Sequence, residues 1–139
     1  MDRDPTLRSV GELMTPNPIV VAVDAPLPQV ADLLDRFDIS GLPVVDHEGQ
    51  LVGVISQTDL LRARANEDLW ARWLDLTARN LMSSPALVAS AGTSVFEVVT
   101  RLEAHHVHRL VVVADDGSTP IGVISTTDLV RAIAARTGR

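Results

Sequence analysis

Apolar residues along the chain follow two rhythms. Leu27, Val30, Ala31, Leu34 and Phe37 stand at i, i+3, i+4, i+7 and i+10, and Val95, Val98, Val99 and Leu102 repeat that spacing. This period predicts two helices, each with one apolar face. Thr93 or Ser94, with Glu97 three or four residues on, supplies a start signal for the second. Short runs of strand-forming residues surround them. Residues 19–23 and 87–89 precede the helices; residues 42–46 with 51–56, and 110–114 with 120–125, follow them. Between the paired runs lie His47-Glu48-Gly49-Gln50 and Asp115-Asp116-Gly117-Ser118-Thr119, where Gly49 and Gly117 suit turn positions of positive φ. Pro43 has no N–H for a ladder, which predicts a place near a strand start or an edge. Ser56 and Ser125 each precede a further helical segment that a hydroxyl can cap.

The order β-α-β-β-α therefore occurs twice, and the residues themselves repeat. Gly53-Val54-Ile55-Ser56-Gln57-Thr58-Asp59-Leu60 returns as Gly122-Val123-Ile124-Ser125-Thr126-Thr127-Asp128-Leu129, and Leu61-Arg62-Ala63 as Val130-Arg131-Ala132. Leu13-Met14-Thr15 is answered by Leu81-Met82-Ser83, and Leu42-Pro43-Val44-Val45 by Leu110-Val111-Val112-Val113. One residue inserted in the turn accounts for the change of offset, so the chain is a duplication. The fold class expected is α+β: tandem β-α-β-β-α repeats packed with pseudo-twofold symmetry. Residues 1–139 are expected to form a single module, with repeat one at 10–65, a linker helix at 66–80 and repeat two at 81–137. A three-stranded sheet with both helices on one face leaves apolar surface open in a unit of roughly 60 residues, and packing two units together would hide it. The linker carries Leu69, Trp70, Trp73, Leu74 and Leu76. Trp70 and Trp73 have two readings: packing on the module, or a subunit contact.

Composition narrows the chemistry. Of 139 residues, 46% are hydrophobic and 22% charged, which suits a packed core rather than a disordered chain. There is no Cys, so disulfides, thiolate zinc sites and a cysteine nucleophile are excluded. All 12 basic residues are Arg, which excludes a Schiff base and a phosphate-loop lysine. Tyr is absent too, and with it a phenolic acid or base. The Arg residues are scattered and the net charge is −6, which argues against a nucleic-acid partner. The opening MDRDPTLRSV is charged and lacks the apolar stretch of a signal peptide, and no apolar run approaches about 18 residues. A cytoplasmic protein with no membrane partner is the expectation. His105, His106 and His108 suggest a metal, but only Glu103 stands nearby as a carboxylate, and the expectation is no metal site. No complete set of nucleophile, base and orienting group is visible, so no catalytic residues and no enzyme activity are expected.

The repeated Gly-Val-Ile-Ser-x-Thr-Asp carries more specific chemistry. A strand ends, a Ser caps, and a helix begins, which directs backbone N–H groups and a helix dipole to one spot. The hydroxyls add donors toward phosphate, and the Asp can accept from the vicinal hydroxyls of a ribose. Capping alone explains the same Ser and Asp, so both readings stand on these residues.

The ordered, duplicated motifs resemble a pair of CBS (cystathionine-β-synthase) domains, the Bateman module. The resemblance rests on Leu13-Met14-Thr15-Pro16 with Leu81-Met82-Ser83, the Gly-Val-Ile-Ser-x-Thr-Asp pair, and His108-Arg109-Leu110-Val111-Val112-Val113, and it covers residues 10–137. It implies a stand-alone regulatory module that binds an adenosine-containing ligand in clefts between the repeats and relays occupancy to a regulated protein. AMP, ADP or ATP is the implied ligand, S-adenosylmethionine a further candidate, and no cofactor is required. A homodimer is implied as well. In one cleft Asp59 would hold ribose with Ser56 and Thr58 nearby, Leu87 would lie by the base, and His108 and Arg109 would face phosphate. In the other, Asp128 would hold ribose with Ser125 and Thr127 toward phosphate. There Asn17 and Ile19 would border the base, and Ser40 and Gly41 would lie near the phosphates. Because Ser40-Gly41 matches His108-Arg109 in the alignment of the repeats, the Asp59/Arg109 cleft is expected to prefer a charged nucleotide. The Asp128 cleft is expected to take a less phosphorylated ligand or none. A ligand-independent dimerisation or interaction module is the alternative.

Overall fold

The computed structural model describes residues 8–137; the first seven residues of the opening segment and the last two of the chain lie outside the described residues. The elements run α1 (Val10–Leu13), β1 (Thr15–Pro16), β2 (Val21–Ala22), α2 (Leu27–Arg36), β3 (Gly41–Val45), β4 (Leu51–Ser56) and α3 (Gln57–Arg64). After these come α4 (Glu67–Ala71), a 3-10 turn (Trp73–Asp75), α5 (Ala78–Leu81), β5 (Val88–Ser90), α6 (Val95–His105), β6 (Arg109–Val113), β7 (Pro120–Ser125) and α7 (Thr126–Thr137). The fold is α+β. Among the described residues no helix is long and apolar enough to cross a membrane.

The chain divides into two compact units, and the division does not follow the sequence repeats. The first unit is Ile19–Ala86; the second joins the segment ending at Pro18 to the chain from Leu87 onward. Each unit thus takes its leading segment from the other repeat.

In the first unit β2, β3 and β4 form a sheet in that order, β2 parallel to β3 across the α2 crossover and β3 antiparallel to β4. Pro43 sits within β3, opposite Val54. Val54 directs both its N–H and its C=O to Ser83, away from β3, so the ladder needs no N–H from Pro43 at this pair. Pairing with β2 begins only at Val44, so Pro43 stands where β3 is locally an edge. The core gathers Leu27, Val30 and Leu34 of α2 with Leu42, Val44 and Ile55 of the sheet.

The second unit repeats this plan with β5, β6 and β7 and adds β1 antiparallel to β7, which gives a four-stranded sheet in the order β1-β7-β6-β5. Val95, Val98 and Leu102 of α6 cover Leu110, Val112 and Ile124. The matching contact in the first unit shrinks to one bridge, Val54 to Ser83.

Helix ends explain where the periodic pattern overreaches. Phe37 was expected on the buried face of α2, yet it is 47% exposed, because the helix stops at Arg36 and Asp38 turns into the left-handed region at φ 51°. The Ile39 N–H then reaches back to the Leu34 carbonyl at 3.1 Å. His106 ends α6 in the same way at φ 53°, with the Val107 N–H on the Leu102 carbonyl at 3.1 Å. Val99, also expected inside, is 38% exposed at the rim of the buried stripe. Ser94 is the cap of α6, accepting from the Glu97 N–H at 3.1 Å.

Residues 66–80 do not form the single linker helix expected. Asn66 caps α4 by accepting from the Leu69 N–H, Leu76 is extended at φ −91° and ψ 154°, and Thr77 opens α5 with a capping box to Asn80. Each new cap starts a new short element, so the continuous stripe is cut into three pieces. Trp73 packs on the first unit's core, whereas Trp70 is 42% exposed, tilted against Trp73 at 5.2 Å between ring centres, with the Arg64 guanidinium 4.6 Å over its ring.

The exchanged segments explain two motifs at once. A Cβ added to Gly53 would lie 2.6 Å from the Ser83 carbonyl oxygen and 2.9 Å from the Met82 sulfur. A Cβ on Gly122 would lie 2.5 Å from the Met14 sulfur and 3.0 Å from the Thr15 oxygen. The repeated glycine is the seat of the repeated Leu-Met-Thr/Ser segment, each from the opposite repeat.

Candidate functional site

Each unit builds one polar corner where an antiparallel strand ends and a helix starts. In the first unit β4 ends at Ser56, and α3 opens with Gln57-Thr58-Asp59. One Asp59 carboxylate oxygen accepts from the Ser56 N–H at 2.8 Å and the Ser56 hydroxyl at 3.0 Å. In return Ser56 Oγ accepts from the Asp59 N–H at 3.3 Å. The second unit repeats the arrangement: Asp128 accepts from the Ser125 N–H at 2.9 Å and hydroxyl at 3.0 Å, and Ser125 Oγ accepts from the Asp128 N–H at 3.2 Å. These are reciprocal capping boxes. They bury a carboxylate on a helix's first turn, where the dipole favours its charge. Asp59 is the one buried charged or polar residue among those described.

The neighbouring strand start completes each corner. Gly41 is the ladder partner of Ser56, and the Gln57 N–H donates to the Ser40 carbonyl at 2.9 Å. Arg109 is the ladder partner of Ser125, and the Thr126 N–H donates to the His108 carbonyl at 2.9 Å. Two corners of the same backbone design thus differ in side chains. The first presents Ser40-Gly41 and the second an exposed His108 with a half-buried Arg109. Burial lowers the Arg109 guanidinium below its ordinary pKa, and an arginine starts so high that it stays charged at neutral pH.

The serines were expected as phosphate donors, but their hydroxyl protons go to Asp59 and Asp128. Of the first three helix amides in each corner, two are also spent, Gln57 and Asp59 in one and Thr126 and Asp128 in the other. Thr58 and Thr127 are the exposed hydroxyl-bearing residues left on these first turns.

The remaining expected residues divide between the units. Ser40, Gly41, Ser56, Thr58, Asp59 and Ile19 belong to the first, with Ile19 packed against its core. Asn17, Leu87, His108, Arg109, Ser125, Thr127 and Asp128 belong to the second. There Leu87 packs half-buried on the core, and exposed Asn17 holds φ 54° with its N–H on the Ile121 carbonyl. The three histidines diverge: His105 ends α6, His106 is its left-handed cap, and His108 precedes β6.

Two residues carry no role in the sequence reading yet touch the corners. Arg62 Nη1 donates to the other Asp59 oxygen at 3.2 Å, and Arg131 Nη1 lies 3.5 Å from the other Asp128 oxygen. The signal was present as Asp-x-x-Arg in both repeats, since i and i+3 share a helix face.

Similarity to known proteins agrees with this double architecture. The chain is 30% identical to inosine-5'-monophosphate dehydrogenase of Nitrosopumilus maritimus over 119 residues, 86% of this chain and 23% of that protein. It is 31% identical to 5'-AMP-activated protein kinase subunit gamma-3 of Homo sapiens over 134 residues, 92% of this chain and 25% of that one. The chain spans between 21% and 34% of the length of such curated relatives. Among solved structures, CBSX2 from Arabidopsis thaliana superposes with a TM-score of 0.81 at 28% identity, covering 95% of this chain and 98% of that one. CBSX2 in complex with AMP gives 0.81 at 32% identity, covering 95% and 99%. With residues 10–66 and 78–135 each matching the CBS domain, this chain belongs to the CBS domain family.

Proposed function

We propose that this chain is a non-catalytic regulatory module that binds an adenosine-containing nucleotide and relays its occupancy to another protein. The observation that carries the reading is the twice-built carboxylate, Asp59 and Asp128, each fixed by a serine through one oxygen at a helix start. A carboxylate so held is an oriented acceptor for ribose hydroxyls. Thr58 and Thr127 are exposed hydroxyl donors on the same turns, and Arg109, with exposed His108 beside it, supplies the charge that phosphate needs. The AMP complex of CBSX2, 32% identical, supports the ligand class. The relatives of which this chain matches a quarter, a dehydrogenase and a kinase subunit, support a module that acts on a partner. A cytoplasmic location is part of the proposal.

Exposed apolar residues on two helices favour self-association beside ligand binding. Leu61 on α3 is 69% exposed, and Val130 and Ile133 on α7 are 63% and 50% exposed. We infer a homodimer that covers them. If the module only dimerised, no adenosine compound would change its melting. A ligand bound by the folded form alone stabilises by about 2.7 kcal/mol at 100 times its Kd. A thermal-shift panel of adenosine, AMP, ADP, ATP and S-adenosylmethionine is therefore decisive. The proposal expects a concentration-dependent rise with at least one phosphorylated member, and a flat panel would sink it.

A further inference from the structure

The two Asp-x-x-Arg pairs set a limit on what the corner carboxylates can accept. A carboxylate has about four acceptor positions over its two oxygens. On Asp59, Oδ2 takes the Ser56 N–H and O–H, which fills it, and Oδ1 takes Arg62 Nη1 at 3.2 Å. One position remains. Asp128 carries the same two serine bonds on Oδ2, and Arg131 Nη1 makes a looser ion pair with Oδ1 at 3.5 Å. A ribose offers two vicinal hydroxyls, so its second hydroxyl and the arginine compete for the same oxygen.

The two sides of that competition differ in mobility. The Asp59 and Asp128 side chains are 8% and 11% exposed and locked by their serines, whereas Arg62 and Arg131 are 69% and 74% exposed. Only the arginine is free to leave at small cost, since a solvated ion pair on one helix turn is weak. We propose that Arg62 and Arg131 are latches: each occupies the ribose-accepting oxygen of its aspartate when no ligand is bound, and gives it up to a vicinal diol. They are positioning residues, acting through Asp59 and Asp128, and they set how strongly the module distinguishes a ribose from a deoxyribose. This rests on the reading of Asp59 and Asp128 as ribose acceptors.

The test uses adenosine and 2'-deoxyadenosine, which carry no phosphate, so loss of an arginine charge cannot itself weaken the probe. Calorimetry compares the whole protein with Arg62→Gln, Arg131→Gln and the double variant; the substituted side chains are exposed, and a melting curve checks that each variant is folded. The latch predicts that the glutamine variant at an occupied corner binds adenosine about two- to fivefold more tightly. It also predicts that the adenosine over 2'-deoxyadenosine preference widens there. A merely structural arginine moves neither. Unchanged or weaker adenosine binding in all three variants overturns the latch. Asp59→Asn and Asp128→Asn separate the two failures. If either weakens adenosine binding while the arginine variants do not tighten it, the ribose reading stands and the latch falls. If neither weakens it, both fall together.

Discussion

The repeated glycine offers the sharpest test of how the units are assembled, through Gly53→Ala. The new Cβ would stand 2.6 Å from the Ser83 carbonyl oxygen, a backbone atom that cannot rotate away. The Ser83 segment would have to move, and with it the two hydrogen bonds between Val54 and Ser83, at 3.0 and 2.9 Å. Overpacking of this kind costs about 1–3 kcal/mol, and each weakened bond adds about 0.5–1.5 kcal/mol. The stiffer unfolded chain returns about 0.4–1 kcal/mol. The net is a loss of roughly 1–5 kcal/mol, or a fall in Tm of roughly 3–20 °C for a chain of this size. Gly122→Ala differs in kind, because its nearest neighbour is the flexible Met14 sulfur at 2.5 Å, with the Thr15 oxygen at 3.0 Å. In double-mutant cycles read by urea unfolding, Met14→Ala should therefore rescue Gly122→Ala by more than Met82→Ala rescues Gly53→Ala. Gly53→Ala melting at or above the wild type would rule out this close seat of the Ser83 segment on β4, as would the reverse order of rescue.

Other outcomes concern the two cores, the helix caps and the turn before β7. Ile55→Ala and Ile124→Ala each empty a fully buried position of one core, with an expected loss of about 2–5 kcal/mol in urea titration. Ser56→Ala and Ser125→Ala each remove two bonds with an aspartate, one of them the helix cap, for about 1–2 kcal/mol of stability. Asp116 accepts from the Thr119 hydroxyl and from the Ser118 and Thr119 N–H groups, which hold its pKa below the ordinary value. The stabilisation it brings is present above its unfolded pKa of about 3.9 and is lost as pH falls through the lower folded value. Asp116→Asn should flatten that part of the acid limb in urea midpoints measured across about pH 5 to 2, and an unchanged limb would contradict it.

Local rules carried far along this chain, and they failed where a distant segment decides. The 3.6-residue period placed α2 and α6, and the turn glycines took φ 80° and 77°. Phe37 escaped because a left-handed Asp38, not the apolar spacing, ends α2. The linker's stripe reads as one helix, yet Asn66 and Thr77 restart the backbone within it, and capping is a local competition that periodicity does not weigh. The exchange of leading segments had no local signal at all. Gly53 and Gly122 carry the trace of it, but their partners lie from about one fifth to about three quarters of the chain away in sequence. At the corners the residue types of the motif were legible and their bonding was not. Ser56 and Ser125 read as donors for a ligand, while the folded chain turns their protons to its own aspartates, and Arg62 and Arg131 gain a role only once those bonds are counted.

Arg109 at the start of β6 is proposed to give this module a phosphate preference that Ser40-Gly41, at the matching strand start of the first unit, would not give. Calorimetric titration of AMP and adenosine into the wild type and Arg109→Ala tests it most directly. The wild type should bind AMP more tightly than adenosine, and Arg109→Ala should lose most of this preference, about tenfold or more for a charge-assisted pair, while adenosine binding holds. AMP affinity left unchanged by Arg109→Ala would contradict it.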